Sequence, residues 1–189
     1  MGDHVMNPDL AELFTGIERR PAAVLVPVVA REPEATLLLT VRTEALRSHG
    51  GQIAFPGGQV DETDAGPEAA ALRETQEEIG LDPRHVETLC LGPEYLTGSG
   101  YHIHPVIALV RPGFELTLNP DEVADAFEVP LSFLMDPANH RLGTRLWQGR
   151  NRSFFEMPFE NRHIWGMTAG ILRILYDRLY ADLAVEAER

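Results

Sequence analysis

The stretch that decides the fold is residues 57–81, which read GGQVDETDAGPEAAALRETQEEIGL. Three glutamates, Glu74, Glu77 and Glu78, stand at i, i+3 and i+4 and therefore share one face if the segment is helical. Like charges at this spacing repel, and a cation relieves the repulsion. Oxygen ligands without Cys or His favour Mg²⁺ or Mn²⁺, and Mg²⁺ usually completes its shell with water and substrate phosphates. The pattern indicates phosphate chemistry, although most acidic runs are only solvated helix faces.

Local signals predict the helix itself. Pro67 fits a first helical position, where its missing N–H costs nothing, and alanines that favour a helix follow it. Gly80 fits a left-handed C-terminal cap. Two neighbours favour a functional site over a solvated face: Arg73 offers an ion-pair partner to Glu74, and the glycines at 57–58 allow backbone to approach a ligand closely.

The segment resembles the Nudix box, and its closing part, from Arg73 to Leu81, matches that box in full. The opening part departs from the general pattern, because the acidic position is Asp64 instead of Glu and eight residues instead of seven separate it from Arg73. In the family this acid helps to anchor the loop. If Asp64 keeps that role, we expect it to pair with Arg73 or to cap a helix that begins at residue 66 or 67.

Residues 37–58, LLLTVRTEALRSHGGQIAFPGG, resemble a second signature, that of the coenzyme A pyrophosphatase branch of Nudix hydrolases. Members of this branch commonly carry the same longer box with Asp. Residues 96–106 and 164–175 also fit, so the resemblance covers about residues 22–180. It implies one Nudix hydrolase domain over residues 1–189, in the α/β (α+β) class, with an α/β/α sandwich around a mixed β-sheet.

The resemblance implies a metal-dependent diphosphatase that splits coenzyme A or its thioesters into 3′,5′-ADP and 4′-phosphopantetheine or its acyl form. Glu74 and Glu78 would be the main ligands of Mg²⁺ or Mn²⁺, with Glu77 assisting and Arg73 in the same catalytic set. Glu74 is the first candidate for the base that orients or deprotonates water. Glu122 is a candidate for a further metal ligand or base; alternatively, it is an acid at a helix start, favoured by the helix dipole.

Six residues are predicted to bind the substrate. Arg42 and Arg47 lie in the upstream signature, and arginine can grip phosphate with two parallel hydrogen bonds. His49 lies beside a glycine pair and is either a substrate-facing residue or a plain loop histidine. The full predicted set is Arg42, Arg47, His49, Gly57, Gly58 and Tyr101.

Two histidines and five further aromatic residues could line a pocket or could have a purely structural role. His102 and His104 lie two apart in a predicted strand, so they face the same side and could line the pocket with Tyr101. A zinc site is disfavoured because no third ligand is spaced to complete it. Five aromatic residues are expected in the core or in a dimer contact instead of against a ligand: Trp147, Phe154, Phe155, Phe159 and Trp165.

Composition excludes several classes. The net charge of −13 argues against a nucleic-acid surface, and it means that local arginines and a metal must attract an anionic substrate. The single cysteine, Cys90, excludes an internal disulfide, suits the cytoplasm and is predicted to be a core residue. No apolar run approaches the ~20 residues of a membrane span. We therefore expect a small-molecule substrate, no nucleic acid and no membrane, with a homodimer left open.

Two other functions stay open at this point. The first is the same chemistry on another nucleoside diphosphate, such as ADP-ribose or NADH; the second is a non-catalytic nucleotide-binding regulator. The predicted elements, beside the helix at 67–79, are strands at 22–30, 36–42, 53–55, 86–97 and 103–110, a hairpin of 143–148 with 152–157, and helices at 8–17, 120–127, 131–135 and from Asn161 to about 182.

Overall fold

The computed structural model describes residues 2–8, 18–46, 49–147 and 149–181. Its centre is a mixed sheet of eight strands. Their bounds are β1 Arg20–Val29, β2 Thr36–Arg42, β3 Ile53–Ala54, β4 Gly57–Gln59, β5 Val86–Leu91, β6 Tyr95–Leu96, β7 Tyr101–Val110 and β8 Val123–Pro130.

The sheet is built around two long strands, β1 and β7, that pair in parallel from Arg20 opposite Tyr101 to Val29 opposite Val110. The other pairings of this sheet are antiparallel. The order β3-β2-β1-β7-β5 forms the main path, and β4, β6 and β8 pair with β1, β7 and β2. The short β4 thereby brings the glycines of residues 57–58 against β1.

Alternating residues of β1 separate two apolar cores, because successive side chains of a strand point to opposite faces. Ala22 and Val24 belong to one core, which also includes residues of the C-terminal helix, α4 Met167–Leu179. Ala23 and Leu25 belong to the other core, which includes residues of α2 Pro67–Ile79. The sheet is thus covered by a helix on each face.

The α4 face also carries a second, antiparallel sheet in the order β11-β10-β9. Its buried Met157 and Ile164 join the same core as α4. The strands are β9 Arg141–Trp147, β10 Arg150–Phe159 and β11 Arg162–Trp165, and the short helices of the chain are α1 Asp3–Met6 and α3 Leu131–Leu134.

These observations confirm the predicted fold class. The helix at 67–79 has the predicted bounds, with Pro67 in its first turn and Gly80 in the left-handed conformation at φ 68°. The predicted hairpin and the short helix near 131 are also present, with bounds that differ by a few residues. Of the predicted helix at 8–17, residues 9–17 lie outside the described part of the chain.

Four predictions about the fold were wrong. The strand expected at 86–97 is interrupted, because β5 ends at Leu91 and β6 begins at Tyr95. Residues 120–127 do not form a helix, because β8 pairs along β2 from Thr36–Pro130 to Arg42–Val123 and this pairing outweighs local propensity. The last helix begins at Met167 instead of near Asn161, since residues 162–165 form β11. Cys90 is exposed because it lies on β5, an edge strand whose residues are mostly exposed.

Candidate functional site

The most buried carboxylate of the predicted set is Glu78, whose side chain is 3% exposed. The Gly57 N–H donates a hydrogen bond to its Oε2 at 3.1 Å, and Arg42 Nη1 lies 3.6 Å from its Oε1. Burial raises the pKa of Glu78 to about 7, while the Gly57 N–H and Arg42 act in the opposite direction. Burial makes the ionised form of this carboxylate less stable, and a nearby cation would stabilise that form.

Glu74 lies one turn earlier on α2, directly against Gly58. A Cβ atom on Gly58 would stand 2.6 Å from Glu74 Oε1 and closer still to the rest of that carboxyl group. Burial raises the pKa of Glu74, and the hydrogen bond that Arg73 donates to its Oε1 at 2.9 Å counteracts this. The absent side chain at residue 58 therefore makes the space in which the Glu74 carboxylate sits.

Glu122 lines the same cavity as Glu74 and Glu78, from the loop before β8. It directly precedes β8, and its Oε1 accepts a hydrogen bond from Asn119 Nδ2 at 3.0 Å. After burial, the negative charge of Glu122 contributes to the raised pKa of both Glu74 and Glu78. Its backbone carbonyl accepts from Thr43 N at 2.9 Å, so this loop is attached to the end of β2. Because β8 replaces the predicted helix, the alternative of a helix-start acid is removed.

Arg73 anchors the loop before α2. Its Nε and Nη2 donate to the two oxygens of Asp64 at 3.0 and 2.9 Å, and Asp64 also accepts from Asp61 N at 2.8 Å. The hydrogen bond from Arg73 is the main cause that lowers the pKa of Asp64, and the same pairing raises the pKa of Arg73. The predicted anchor is confirmed, and the extra residue of the box is absorbed before Pro67, so the helix keeps its phase.

Glu77 is the least enclosed of the three helix glutamates. Its side chain is 56% exposed, against 18% for Glu74 and 3% for Glu78. Arg73 Nη1 donates to its Oε2 at 3.1 Å. Glu77 therefore lies on the outer side of the cluster, where it contacts Arg73 but does not line the cavity described next.

A cavity of about 630 Å³ opens beside the carboxylates. Most of the predicted site residues line it together; Arg47 lies outside the described residues. The Nε atom of Arg42 is buried without a hydrogen-bond partner in the described part of the chain. His49 adopts φ 63° and shares a 2.9 Å hydrogen bond with Gln52. The predicted residues in the lining are Arg42, His49, Gly57, Gly58, Glu74, Glu78, Tyr101 and Glu122.

Sequence reasoning missed the part of the cavity that β9–β11 contribute. Trp147, Phe154 and Trp165 line it, which contradicts the expectation of core or dimer contacts for these three, whereas Phe155 and Phe159 do pack against the core. Arg145 and Arg152 also reach the cavity. These residues are distant in sequence from the Nudix-like box and carry no motif, so the only available signal was the unusual density of arginine and aromatic residues at 145–165.

The N-terminal segment contacts the part of the cavity that β9–β11 form. The buried carboxylate of Asp3 accepts hydrogen bonds from Tyr95 Oη at 2.8 Å and Gly98 N at 2.7 Å, and it pairs with Arg152. Burial, followed by the charge of Asp3, raises the pKa of Tyr95. The contacts of Asp3 thus connect β10 to the turn that follows β6.

His102 and His104 do not line the cavity. Tyr101 and Ile103 point into it, and residues alternate along β7, so the two histidines face the other side of the sheet. The expectation that they accompany Tyr101 was wrong for this reason. The expectation that no third ligand completes the pair was also wrong, because Glu94 contacts His102 and lies near His104.

The donor set of the cavity fits a hard divalent cation. Glu74, Glu78 and Glu122 offer only carboxylate oxygens, which suit Mg²⁺ or Mn²⁺ better than Zn²⁺. Glu78 is buried, and the charges of Glu74 and Glu122 raise its pKa beyond the effect of burial. A cation among the three would relieve this repulsion.

A model of the Nudix domain matches residues 19–147. The chain belongs to the Nudix family. Nudix hydrolases act on pyrophosphate bonds and generally use divalent metal ions such as Mg²⁺ or Mn²⁺. The Nudix box is therefore the segment from β4 through α2. The matched region ends with β9, so β10, β11 and α4 lie beyond it.

The comparisons with known proteins give the same family. A protein named uncharacterized Nudix hydrolase NudL from Cronobacter sakazakii is 43% identical over 171 residues, 90% of this chain and 88% of that protein. NudL of Escherichia coli K12 is 40% identical over 159 residues, 84% of this chain and 82% of its own. Neither name states a substrate, so these relatives establish the family and leave the specificity to other arguments.

Solved structures share the fold. A Nudix hydrolase from Mycobacterium smegmatis, RenU, superposes with a TM-score of 0.55 at 22% identity, over 89% of this chain and 88% of that one. An Ap4A hydrolase from C. elegans gives 0.51 at 20% identity, over 59% and 80% of the two chains. None of the helices in the described part of the chain is both long and apolar enough to span a membrane.

Proposed function

We propose that this Nudix hydrolase splits the diphosphate of coenzyme A or its thioesters into 3′,5′-ADP and 4′-phosphopantetheine or its acyl form. The observation that carries the proposal is a single cavity lined by three groups of residues. These are the Nudix-box carboxylates, residues of the upstream signature at 37–58, and arginine and aromatic side chains from β9–β11. A large nucleotide with several phosphates needs both kinds of contact. The proposal extends to one Nudix domain over residues 1–189, acting in the cytoplasm.

The carboxylates provide the catalytic end of the cavity. Glu74, Glu78 and Glu122 would hold Mg²⁺ or Mn²⁺, with Glu77 assisting from outside, and the metal would supply charge neutralisation for the diphosphate. The Gly57 N–H and Arg42 hold the Glu78 carboxylate in place. Arg73 orients Glu74 through the 2.9 Å hydrogen bond while Asp64 fixes Arg73. These contacts fix the positions of the carboxylates in the absence of substrate.

The reaction is a hydrolysis. The oxygen of a water molecule bonds to one phosphorus of the diphosphate, and the bond from this phosphorus to the bridging oxygen breaks. The proton of the water passes to a carboxylate, for which Glu74 is the first candidate. Burial raises the pKa of Glu74 in the metal-free protein, whereas a cation held beside it would lower that pKa. The same cation would acidify a bound water, so a weak carboxylate base is sufficient.

Arginines and aromatic rings would bind the rest of the substrate. The orphaned Nε of Arg42 is a donor without a partner in the described chain, which suits a phosphate oxygen. Arg145 is exposed at the cavity and takes part in none of the ion pairs found among the described residues, so it is available to a further phosphate. Trp147 and Trp165 line the cavity and would pack beside a nucleobase. Arg152 lies over the Trp147 ring and His163 stacks on Trp165, so these side chains belong to the same wall. Arg47, His49 and Tyr101 stay in the predicted substrate-binding set.

A substrate panel tests the proposal. Turnover of coenzyme A, dephospho-coenzyme A, ADP-ribose, NADH and Ap4A is measured with Mg²⁺ and with Mn²⁺, and products are identified by mass. We expect the highest kcat/KM for coenzyme A or a thioester, with products cut at the diphosphate. A clear preference for ADP-ribose, NADH or Ap4A would replace the proposed substrate by another nucleotide, and no turnover of any of them would favour the non-catalytic regulator.

A further inference from the structure

Two histidines on β7 and a glutamate directly before β6 form a cluster on the face of the sheet away from the cavity. His102 and His104 are two residues apart on β7, and their ring centroids are 4.4 Å apart. β6 pairs with β7 through Tyr95–Ile103 and Leu96–His102, and this register continued by one residue places Glu94 opposite His104. The backbone pairing therefore holds the three side chains together.

The distances within the cluster are those of a nearly formed metal site. Glu94 Oε2 lies 2.8 Å from His102 Nε2, and Glu94 Oε1 lies 3.7 Å from His104 Nδ1. One ligand atom from each residue lies within 4.8 Å of the other two. Ligands bonded to tetrahedral zinc at 2.0–2.1 Å stand roughly 3.3 Å apart, so small side-chain rotations suffice.

The donor chemistry differs from that of the cavity. Two imidazole nitrogens and one carboxylate oxygen suit Zn²⁺ and related transition ions, whereas an all-carboxylate set suits Mg²⁺. Three protein ligands leave a fourth position, and Glu94 is exposed, so water can occupy it. An exposed His–Glu pair is common and contributes little to stability, so the pair alone does not indicate a metal site. The indication comes from the third side chain, His104, which converges on the same point.

We propose that Glu94, His102 and His104 form a second metal site, for Zn²⁺ or a similar transition ion, separate from the Nudix-box carboxylates. The ion ties the start of β6 to β7. Thr97 and Ser99 follow β6 directly and line the cavity, so the site braces the turn that forms part of the cavity wall. The proposal does not depend on the identity of the substrate.

The test measures metal uptake by the purified full-length chain in excess Mg²⁺, which occupies the carboxylate cluster. Calorimetric titration with Zn²⁺ is expected to show one equivalent bound, and free Zn²⁺ at a hundredfold excess over Kd should raise Tm by roughly 5–10 °C. With Co²⁺, the unmodified protein should show the visible d–d bands of an imidazole-ligated ion. This spectrum needs no variant, so a variant that fails to fold cannot obscure the result.

Variants then locate the ion. His102→Asn and His104→Asn should each lose the Zn²⁺ equivalent and the Tm shift. The matched control is His163→Asn, because His163 Nε2 also lies 2.8 Å from a glutamate, Glu156, across neighbouring strands but forms no described group of three ligands. Glu78→Gln should retain the uptake as well. The proposal is overturned if the unmodified protein takes up no Zn²⁺ in excess Mg²⁺, or if His163→Asn or Glu78→Gln abolishes the uptake.

Discussion

A methyl group added at Gly58 should remove most of the activity and leave most of the stability. The Cβ of Gly58→Ala would stand 2.6 Å from Glu74 Oε1 and nearer to the rest of the carboxyl group, whereas ordinary van der Waals contact begins at 3.4 Å. The Glu74 carboxylate must therefore move by roughly 1 Å. A misplacement of this size in a catalytic group can cost about 10²-fold in rate, which is about 2.7 kcal/mol of barrier.

Stability should respond differently at the two neighbouring glycines. The new methyl at residue 58 meets the end of a flexible side chain, which can rotate away at little cost. A methyl at Gly57 would instead meet backbone, with the Val24 Cα atom 2.6 Å away, and would force a residue with a side chain into φ 148°. We expect Gly58→Ala to fold with a Tm close to that of the unmodified protein, and Gly57→Ala to unfold at a clearly lower temperature.

The assay compares kcat, KM and Tm for Gly58→Ala, Glu74→Gln and the double variant. If Gly58→Ala acts through Glu74, the alanine should cost little more once Glu74→Gln is present, because both changes remove the same interaction. Near-normal kcat in Gly58→Ala would refute the reasoning. So would full additivity in the double variant, since the alanine would then act on some other part of the site.

The remaining predictions address the metal cluster, the anchor and recognition. Glu78→Gln should keep the fold, measured by circular dichroism, and lower kcat by at least ~10²-fold, because it removes charge from the cluster while preserving shape; near-normal turnover would remove Glu78 from the metal site. Asp64 has a pKa lowered chiefly by the hydrogen bond from Arg73, so its contribution to stability is present above the unfolded pKa of ~3.9 and is lost as pH falls through the lower folded value. Urea unfolding between pH 7 and pH 2 should therefore show a shallower acid loss in Asp64→Asn, and an unchanged slope would contradict the anchor's electrostatic role. Coenzyme A should have a higher kcat/KM than dephospho-coenzyme A, with the difference reduced in Arg47→Ala and Arg145→Ala; equal values in the unmodified protein would count against any grip on the 3′-phosphate.

The sequence predicted the elements whose causes are local. The helix at 67–79 has a proline at its start, alanines after it and a glycine at its end, and each of these acts within one turn. The co-facial arrangement of Glu74 and Glu78 follows from helix geometry alone. The Asp64–Arg73 anchor could also be predicted, because the ion pair spans only nine residues and the family resemblance supplied its role.

The errors have non-local causes. Residues 123–130 pair with β2, more than eighty residues earlier, and no local signal reveals that partner. The exposure of Cys90 follows from the position of β5 at the end of the sheet order, which depends on the whole topology. Glu94 completes the histidine cluster through strand register, and register cannot be read from the spacing of His102 and His104.

The charge distribution explains how an acidic chain can accept an anionic substrate. The net charge of −13 repels an anion at long range, but salt limits that repulsion to about 8 Å at physiological ionic strength. Inside the cavity, Arg145 and the Arg42 Nε, which has no hydrogen-bond partner among the described residues, would meet a phosphate at hydrogen-bond distance, where screening is weak. The carboxylates beside them would repel phosphate unless a cation neutralises them. Metal and substrate should therefore bind cooperatively: a cation held by Glu74, Glu78 and Glu122 would relieve the repulsion among them and would attract the diphosphate.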